Sequence, residues 1–110
     1  MTKMTTEEAF VKVLQTHGIE QAFGIIGSAF MPISDLFPAA GITFWDVAHE
    51  TNGGLIADGY TRATGKMSMV IAQNGPGITG LVTPIKTAYW NHTPLLLVTP
   101  QAANKTIGQG

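Results

Sequence analysis

Met67-Ser68-Met69-Val70-Ile71-Ala72-Gln73-Asn74-Gly75-Pro76-Gly77-Ile78-Thr79-Gly80 holds a strand, a turn and the start of a helix in immediate succession. The run Met67 to Ala72 is uncharged and nearly all apolar, without the alternation of a strand that has one wet face. It therefore reads as a strand buried on both faces, which is the habit of parallel sheets. Pro76 suits the first turn of a helix, where a missing N–H forfeits no intrahelical bond. The pattern predicts one helix from Pro76 toward Trp90. Inside it, Pro84 lacks the amide that would bond the Gly80 carbonyl, which costs about 3 kcal/mol or a kink.

Outward from this stretch the same alternation repeats. Downstream, Leu95 to Thr99 is another apolar strand. Upstream, Thr43 to Val47 reads as a strand, and Leu55, Ile56, Gly59, Tyr60 and Ala63 form a helical stripe closed by Gly65. Ala22 to Ile26 is a strand ended by Gly27-Ser28, and Met31 to Phe37 a brief helix before Pro38 and Gly41. Residues 5 to 17 form the first helix, opened by Thr5-Thr6-Glu7-Glu8 and stopped at His17-Gly18. Strands separated by helices imply right-handed crossovers, so the fold class is α/β, a parallel sheet flanked by helices on both faces. Ligands of such sheets bind outside the carboxyl ends of the strands. Here those ends are Gly27-Ser28, His49-Glu50, Asn74-Gly75-Pro76-Gly77 and Pro100-Gln101.

Composition narrows the function. One domain is the natural reading of 110 residues. A formal charge of −1 offers no basic surface for nucleic acid or anionic membranes. Glu7, Glu8 and Lys12 interrupt any signal-like apolar start, and Gln73 to Gly77 with Pro84 break the one long uncharged stretch, so neither export nor a membrane span is expected. The absence of cysteine fits a cytoplasmic home and removes thiolate chemistry. Charged residues make up 12%, against about 25% in an average domain. Residues 67–110 carry only Lys86 and Lys105, so the second half is expected to meet a partner surface.

Several motifs fail on their own terms. Gly75-Pro76-Gly77-Ile78-Thr79-Gly80 satisfies the dinucleotide pattern G-x-G-x-x-G, but no Asp or Glu follows Asp58 to hold a ribose. Gly65-Lys66 lacks P-loop spacing, and His49-Glu50 is followed by Gly53 where a zinc-binding helix needs histidine, so no metal site is expected within the chain. Ser28 lacks the flanking glycines of a nucleophile elbow. Glu50 stands out because it opens a helix after an apolar strand, with seven uncharged residues behind it. Two readings stay open: a first-turn carboxylate that complements the helix dipole and faces water, or a partly desolvated carboxyl group with its pKa raised toward neutrality for proton exchange.

Ala48-His49-Glu50, Ala57-Asp58-Gly59-Tyr60-Thr61-Arg62-Ala63-Thr64-Gly65-Lys66, Asn74-Gly75-Pro76-Gly77-Ile78-Thr79 and the long stretch Lys86 to Gly110 resemble the pyrimidine-binding domain of thiamine diphosphate-dependent enzymes of the acetolactate synthase-like superfamily. The resemblance spans nearly all of residues 1–110. It implies that Glu50 hydrogen-bonds the ring nitrogen of the cofactor's aminopyrimidine and promotes its imino tautomer. Ile26, Gly27, Asn74, Gly75, Pro76 and Gly77 would line the pyrimidine pocket, and Gln101 would face the small-molecule substrate. The same resemblance points to an acetyl-transferring member that turns sulfoacetaldehyde and phosphate into acetyl phosphate and sulfite. Another thiamine diphosphate enzyme, or a noncatalytic binding or dimerisation module, is the alternative. It further implies that the chain is the front part of the pyrimidine-binding domain, with the central and diphosphate-binding domains and their magnesium ligands lying elsewhere in a longer protein. In that family the subunits associate as homo-oligomers through this domain. Gly80, Pro84 and Thr51-Asn52-Gly53 depart from the family's usual residues.

Overall fold

Thr5 starts the first helix with a reciprocal cap. Its hydroxyl accepts from the Glu8 amide at 3.1 Å, and the Glu8 carboxylate accepts from the Thr5 amide at 2.7 Å, so two orphan donors of the first turn are satisfied. The resulting helix, α1, spans Thr6–Thr16. The computed structural model describes residues 3–109; Gly110, the last residue of the stretch quoted for the resemblance, lies outside the described residues. After α1 come β1 (Gln21–Gly24), α2 (Met31–Ser34), α3 (Phe37–Ala40), β2 (Thr43–Asp46), α4 (Glu50–Thr64), β3 (Ser68–Ile71), α5 (Pro76–Thr79), α6 (Val82–Trp90) and β4 (Leu95–Val98), followed by a 3₁₀ turn at Asn104–Thr106.

The strands form one parallel sheet in the order β2-β1-β3-β4, with Ala22 beside Met69 and Met69 beside Leu96. Period-two alternation sends Ala22, Met69 and Ile71 to one face, where Val11, Leu14, Ile19, Phe30, Phe37 and Ile42 close a core under α1, α2 and α3. Phe23, Val70 and Ala72 point the other way, against Ala57 of α4 and against Leu81. The expected α/β fold with both faces covered is thus the one found.

Four expectations need correction. Strand β1 stops at Gly24, two residues before Ile26, because Gly24 has φ 148° and a Cβ there would collide with the Ile71 carbonyl oxygen; only glycine makes that close strand-to-strand approach. The helix expected over Met31 to Phe37 is two single turns, and Pro38 lies in the second of them at a position that needs no N–H. Only the central strands are well buried: β2 is largely exposed and β4 half-buried, because each is an edge of the sheet among the described residues. The helix expected from Pro76 to Trp90 is interrupted at Gly80-Leu81, which puts Pro84 in the first turn of α6.

Of the apolar stripe on α4, Tyr60 packs against the core beside Phe23, but the rest is not the buried face. Leu55 and Ile56 are 42% and 47% exposed, whereas Gly53, Gly54, Ala57, Asp58 and Thr61 are buried. Small residues let α4 lie close on the sheet, and large ones would hold it off. The buried polar groups are largely paired: Thr61 Oγ1 lies 3.0 Å from Ser68 Oγ, which bonds the Ala57 carbonyl at 3.2 Å, and Asp58 meets Arg62 at 2.9 Å. Such pairing offsets most of the cost of placing hydroxyls in a core.

Candidate functional site

Glu50 is the first residue of α4, directly after the loop that leaves β2. His49 caps this helix from an extended conformation (φ −150°, ψ 140°), with Nδ1 accepting from the Thr51 amide at 3.1 Å. That role requires the ring nitrogen to carry no proton. The cap leaves Glu50 in the first turn, where the helix dipole favours its negative charge. It is half-buried, and the ion pairs among the described residues, Asp58 with Arg62 and Lys66 with Glu20, do not engage it.

The β3–α5 turn faces this carboxylate. A Cβ on Gly77 would lie 3.2 Å from Glu50 Oε1, and one on Gly80 would lie 3.4 Å from both Glu50 Cβ and His49 Cε1. The backbone of α5 is therefore packed against the Glu50 side chain, and a side chain at position 77 would press on the carboxyl oxygen. Gly75 caps α5 at φ 80°, and Pro76 follows in its first turn. Gly77 is buried, while Asn74, Gly75 and Pro76 are exposed at the rim.

The β1 loop lies on the same carboxyl-end side of the sheet. Ile26 and Gly27 are half-buried, and the Gln73 side-chain amide occupies the space that a side chain on Gly27 would take. Gln73 Oε1 is buried without a hydrogen-bond partner among the described residues. An unpaired buried amide oxygen costs roughly 1–3 kcal/mol and is usually answered by a ligand or a water.

Glu50, Gly77 and the Gly27 loop with Gln73 thus share the carboxyl-end side of the sheet, and the sequence-predicted residues Ile26, Asn74, Gly75 and Pro76 belong to the same loops. Gln101 follows β4 and is exposed, and no hydrogen bond or ion pair among the described residues ties it to the others. Sequence reasoning missed Gln73 and Thr51. Gln73 carried a signal in its position within the glycine turn, whereas the role of Thr51 depends on a partner 29 residues away, the Gly80 carbonyl, which its hydroxyl meets at 2.6 Å.

Elsewhere the molecule has little chemistry to offer. A concavity of about 200 Å³ is lined by Gly54, Val70, Leu81, Pro84, Ala88 and Leu97 among others, with no carboxylate or imidazole. No group of three His, Cys, Asp or Glu placed to hold a metal ion occurs among the described residues, and none of their helices is long and apolar enough to cross a membrane.

Comparison with known proteins gives the family. Residues 4–110 match the family described as thiamine pyrophosphate enzyme, N-terminal TPP binding domain. The chain is 82% identical over 108 residues to the sulfoacetaldehyde acetyltransferase of Roseovarius nubinhibens and 77% identical over 108 residues to that of Rhodobacter capsulatus; each comparison covers 98% of this chain and 18% of the relative. The chain therefore spans under a fifth of the length of these relatives. Among solved structures, the thiamine diphosphate-dependent 4-hydroxybenzoylformate decarboxylase of Rhodococcus jostii superposes with a TM-score of 0.88 at 26% identity, over 96% of this chain and 20% of that one.

Proposed function

Since the chain belongs to the family of N-terminal TPP binding domains of thiamine pyrophosphate enzymes, we propose that it forms the pyrimidine side of the cofactor site in a sulfoacetaldehyde acetyltransferase. The whole enzyme would take sulfoacetaldehyde and phosphate to acetyl phosphate and sulfite. High identity to two relatives of that name supports the substrate. The observation that carries the site is the half-buried Glu50 carboxyl group beside a glycine backbone, at the carboxyl ends of the strands.

The residues present fit the group. Gly77 lets the turn backbone lie against Glu50 Oε1, Gln73 holds a buried acceptor without a partner among the described residues, and Ile26, Gly27 and Pro76 are uncharged residues of the same carboxyl-end loops, suited to a flat heterocycle. When bound, thiamine diphosphate supplies a carbon nucleophile and an electron sink. Glu50 would hold a proton shared with a ring nitrogen of the cofactor, an exchange that costs less in a half-dry site than burying a bare charge. The Asn74 to Gly77 turn and the Gly27 loop set the width of the slot. Gln101 would face the substrate from the rim once the rest of the protein is present.

The proposal places magnesium and its ligands in the diphosphate-binding part of the longer protein, outside residues 1–110, and the enzyme in the cytoplasm. It also assigns an oligomer, supported by the exposed large apolar residues of α4 and α6: Ile56, Val82, Tyr89 and Trp90 are 47%, 63%, 75% and 74% exposed. Exposed apolar residues gathered into a patch mark an interaction surface more often than a free one. In the full-length protein, thiamine diphosphate with magnesium should support phosphate-dependent sulfite release, and Glu50→Gln should lower it about 100-fold or more while leaving thermal unfolding in place. Acetolactate formed from pyruvate without sulfite release would move the assignment to an acetolactate synthase-like reaction. Absence of any thiamine-dependent turnover would leave a noncatalytic module.

A further inference from the structure

We propose that Thr51 is a positioning residue for Glu50, clamping the first turn of α4 to the break between α5 and α6 through a carbonyl that Pro84 leaves without a helical partner. The proposal rests on the reading of Glu50 as the group that touches the cofactor. In an uninterrupted helix the Gly80 carbonyl accepts from the amide of residue 84, and proline has no such amide. The Thr51 hydroxyl takes that place, donating to the Gly80 carbonyl at 2.6 Å across 29 residues of sequence.

The location of this bond gives it a consequence for the site. Thr51 is the neighbour of Glu50, and its own amide donates to His49 Nδ1, so one residue is held both by the cap behind it and by the turn opposite. Gly80, whose carbonyl it holds, packs against Glu50 Cβ and the His49 ring. One turn further along α4, a Cβ on Gly54 would lie 2.5 Å from Pro84 Cβ and Cγ, and Pro84 is fully buried. Pro84 therefore does two things: it presses on α4 at Gly54, and it frees the carbonyl that Thr51 captures. Thr51, Gly54, Gly80 and Pro84 make one interlocking contact that fixes the angle between α4 and α5, and hence where Glu50 Oε1 sits relative to Gly77. A threonine methyl alone would fill the space without fixing the angle, because only the hydrogen bond is directional.

The test uses the full-length protein with thiamine diphosphate and magnesium, and compares Glu50→Gln, Thr51→Val, Thr51→Ser, Pro84→Ala and the Thr51→Val/Pro84→Ala double variant. Thr51→Val should lower kcat about 10-fold with KM for sulfoacetaldehyde within about 2-fold, since the interaction acts on the reacting geometry and not on substrate binding. Thr51→Ser keeps the hydroxyl and should stay within about 3-fold of the unaltered protein. Pro84→Ala offers the Gly80 carbonyl a helical amide in place of the Thr51 hydroxyl, so it should slow kcat much as Thr51→Val does, and the double variant should lie within about 3-fold of the slower single variant, a non-additivity that two independent packing defects do not give. Thr51→Val with unaltered kcat, a serine variant as slow as the valine one, or single-variant losses that multiply in the double variant would each overturn the clamp. If the valine variant does not fold, Thr51→Ala carries the same comparison in both backgrounds. Retained turnover in Glu50→Gln would instead remove the reading of Glu50 on which the clamp depends, so the two failures are distinguishable.

Discussion

The two faces of the sheet are built on opposite principles. Under α1, α2 and α3 the filling is large, with Phe30, Phe37, Leu14, Ile19 and Met69 at 3% exposure or less. Under α4 it is small, with Gly53, Gly54 and Ala57 against Phe23, Val70 and Ala72, and Leu55 and Ile56 of that helix turned outward. The first face is a self-contained core. The second brings a helix close enough to the strand ends for its first residue to enter the crevice, and it leaves Leu55 and Ile56 exposed for another surface to cover. Close approach and a completed apolar face compete for the same helix, and here close approach wins at the site end.

The largest effect should come from the self-contained face. Phe37→Ala removes a ring that is 1% exposed and should cost about 3–5 kcal/mol in urea unfolding; a loss below about 1 kcal/mol would mean that this core is not the stabilising one. On the open face, Trp90→Asp should weaken self-association of the full-length protein about 30-fold or more in sedimentation experiments, the size of an interface hot spot of about 2 kcal/mol, with secondary structure unchanged. Unaltered association would separate exposure on α6 from assembly. Smaller again, Gly54→Ala drives a methyl group into Pro84 and should cost about 1–3 kcal/mol by overpacking. The contrast sharpens at Gly59 on the outer side of the same helix, where a Cβ meets nothing within 4 Å. There, alanine should stabilise by about 0.5–1 kcal/mol through helix propensity. Equal effects at positions 54 and 59 would erase the distinction between the two sides of α4.

Much of this was legible in the sequence. Uncharged strands, glycine-rich turns and Pro76 marked the order of elements and the carboxyl-end loops, and Glu50 stood out as a carboxylate opening an uncharged helix. The inner face of α4 was not legible, because the stripe of Leu55, Ile56, Gly59, Tyr60 and Ala63 fixes helical periodicity without saying which face meets the sheet. Hydrophobicity assigned the larger residues to the core, yet the sheet accepted Gly53, Gly54 and Asp58. The break at Gly80-Leu81 was half legible: Pro84 announced a missing amide, but the hydroxyl that answers it lies on another helix. Gln73 escaped for the related reason that its buried oxygen is conspicuous only once the Gly27 loop is folded over it.

The most direct test of Glu50 as the proton-handling group of the crevice is the rate at which the C2 proton of bound thiamine diphosphate exchanges with deuterium in the full-length protein, measured by rapid quench for the unaltered chain and for Glu50→Gln. The account predicts exchange at least about 100-fold slower in the variant, with cofactor affinity changed far less. Equal exchange rates with the cofactor bound in both would contradict it.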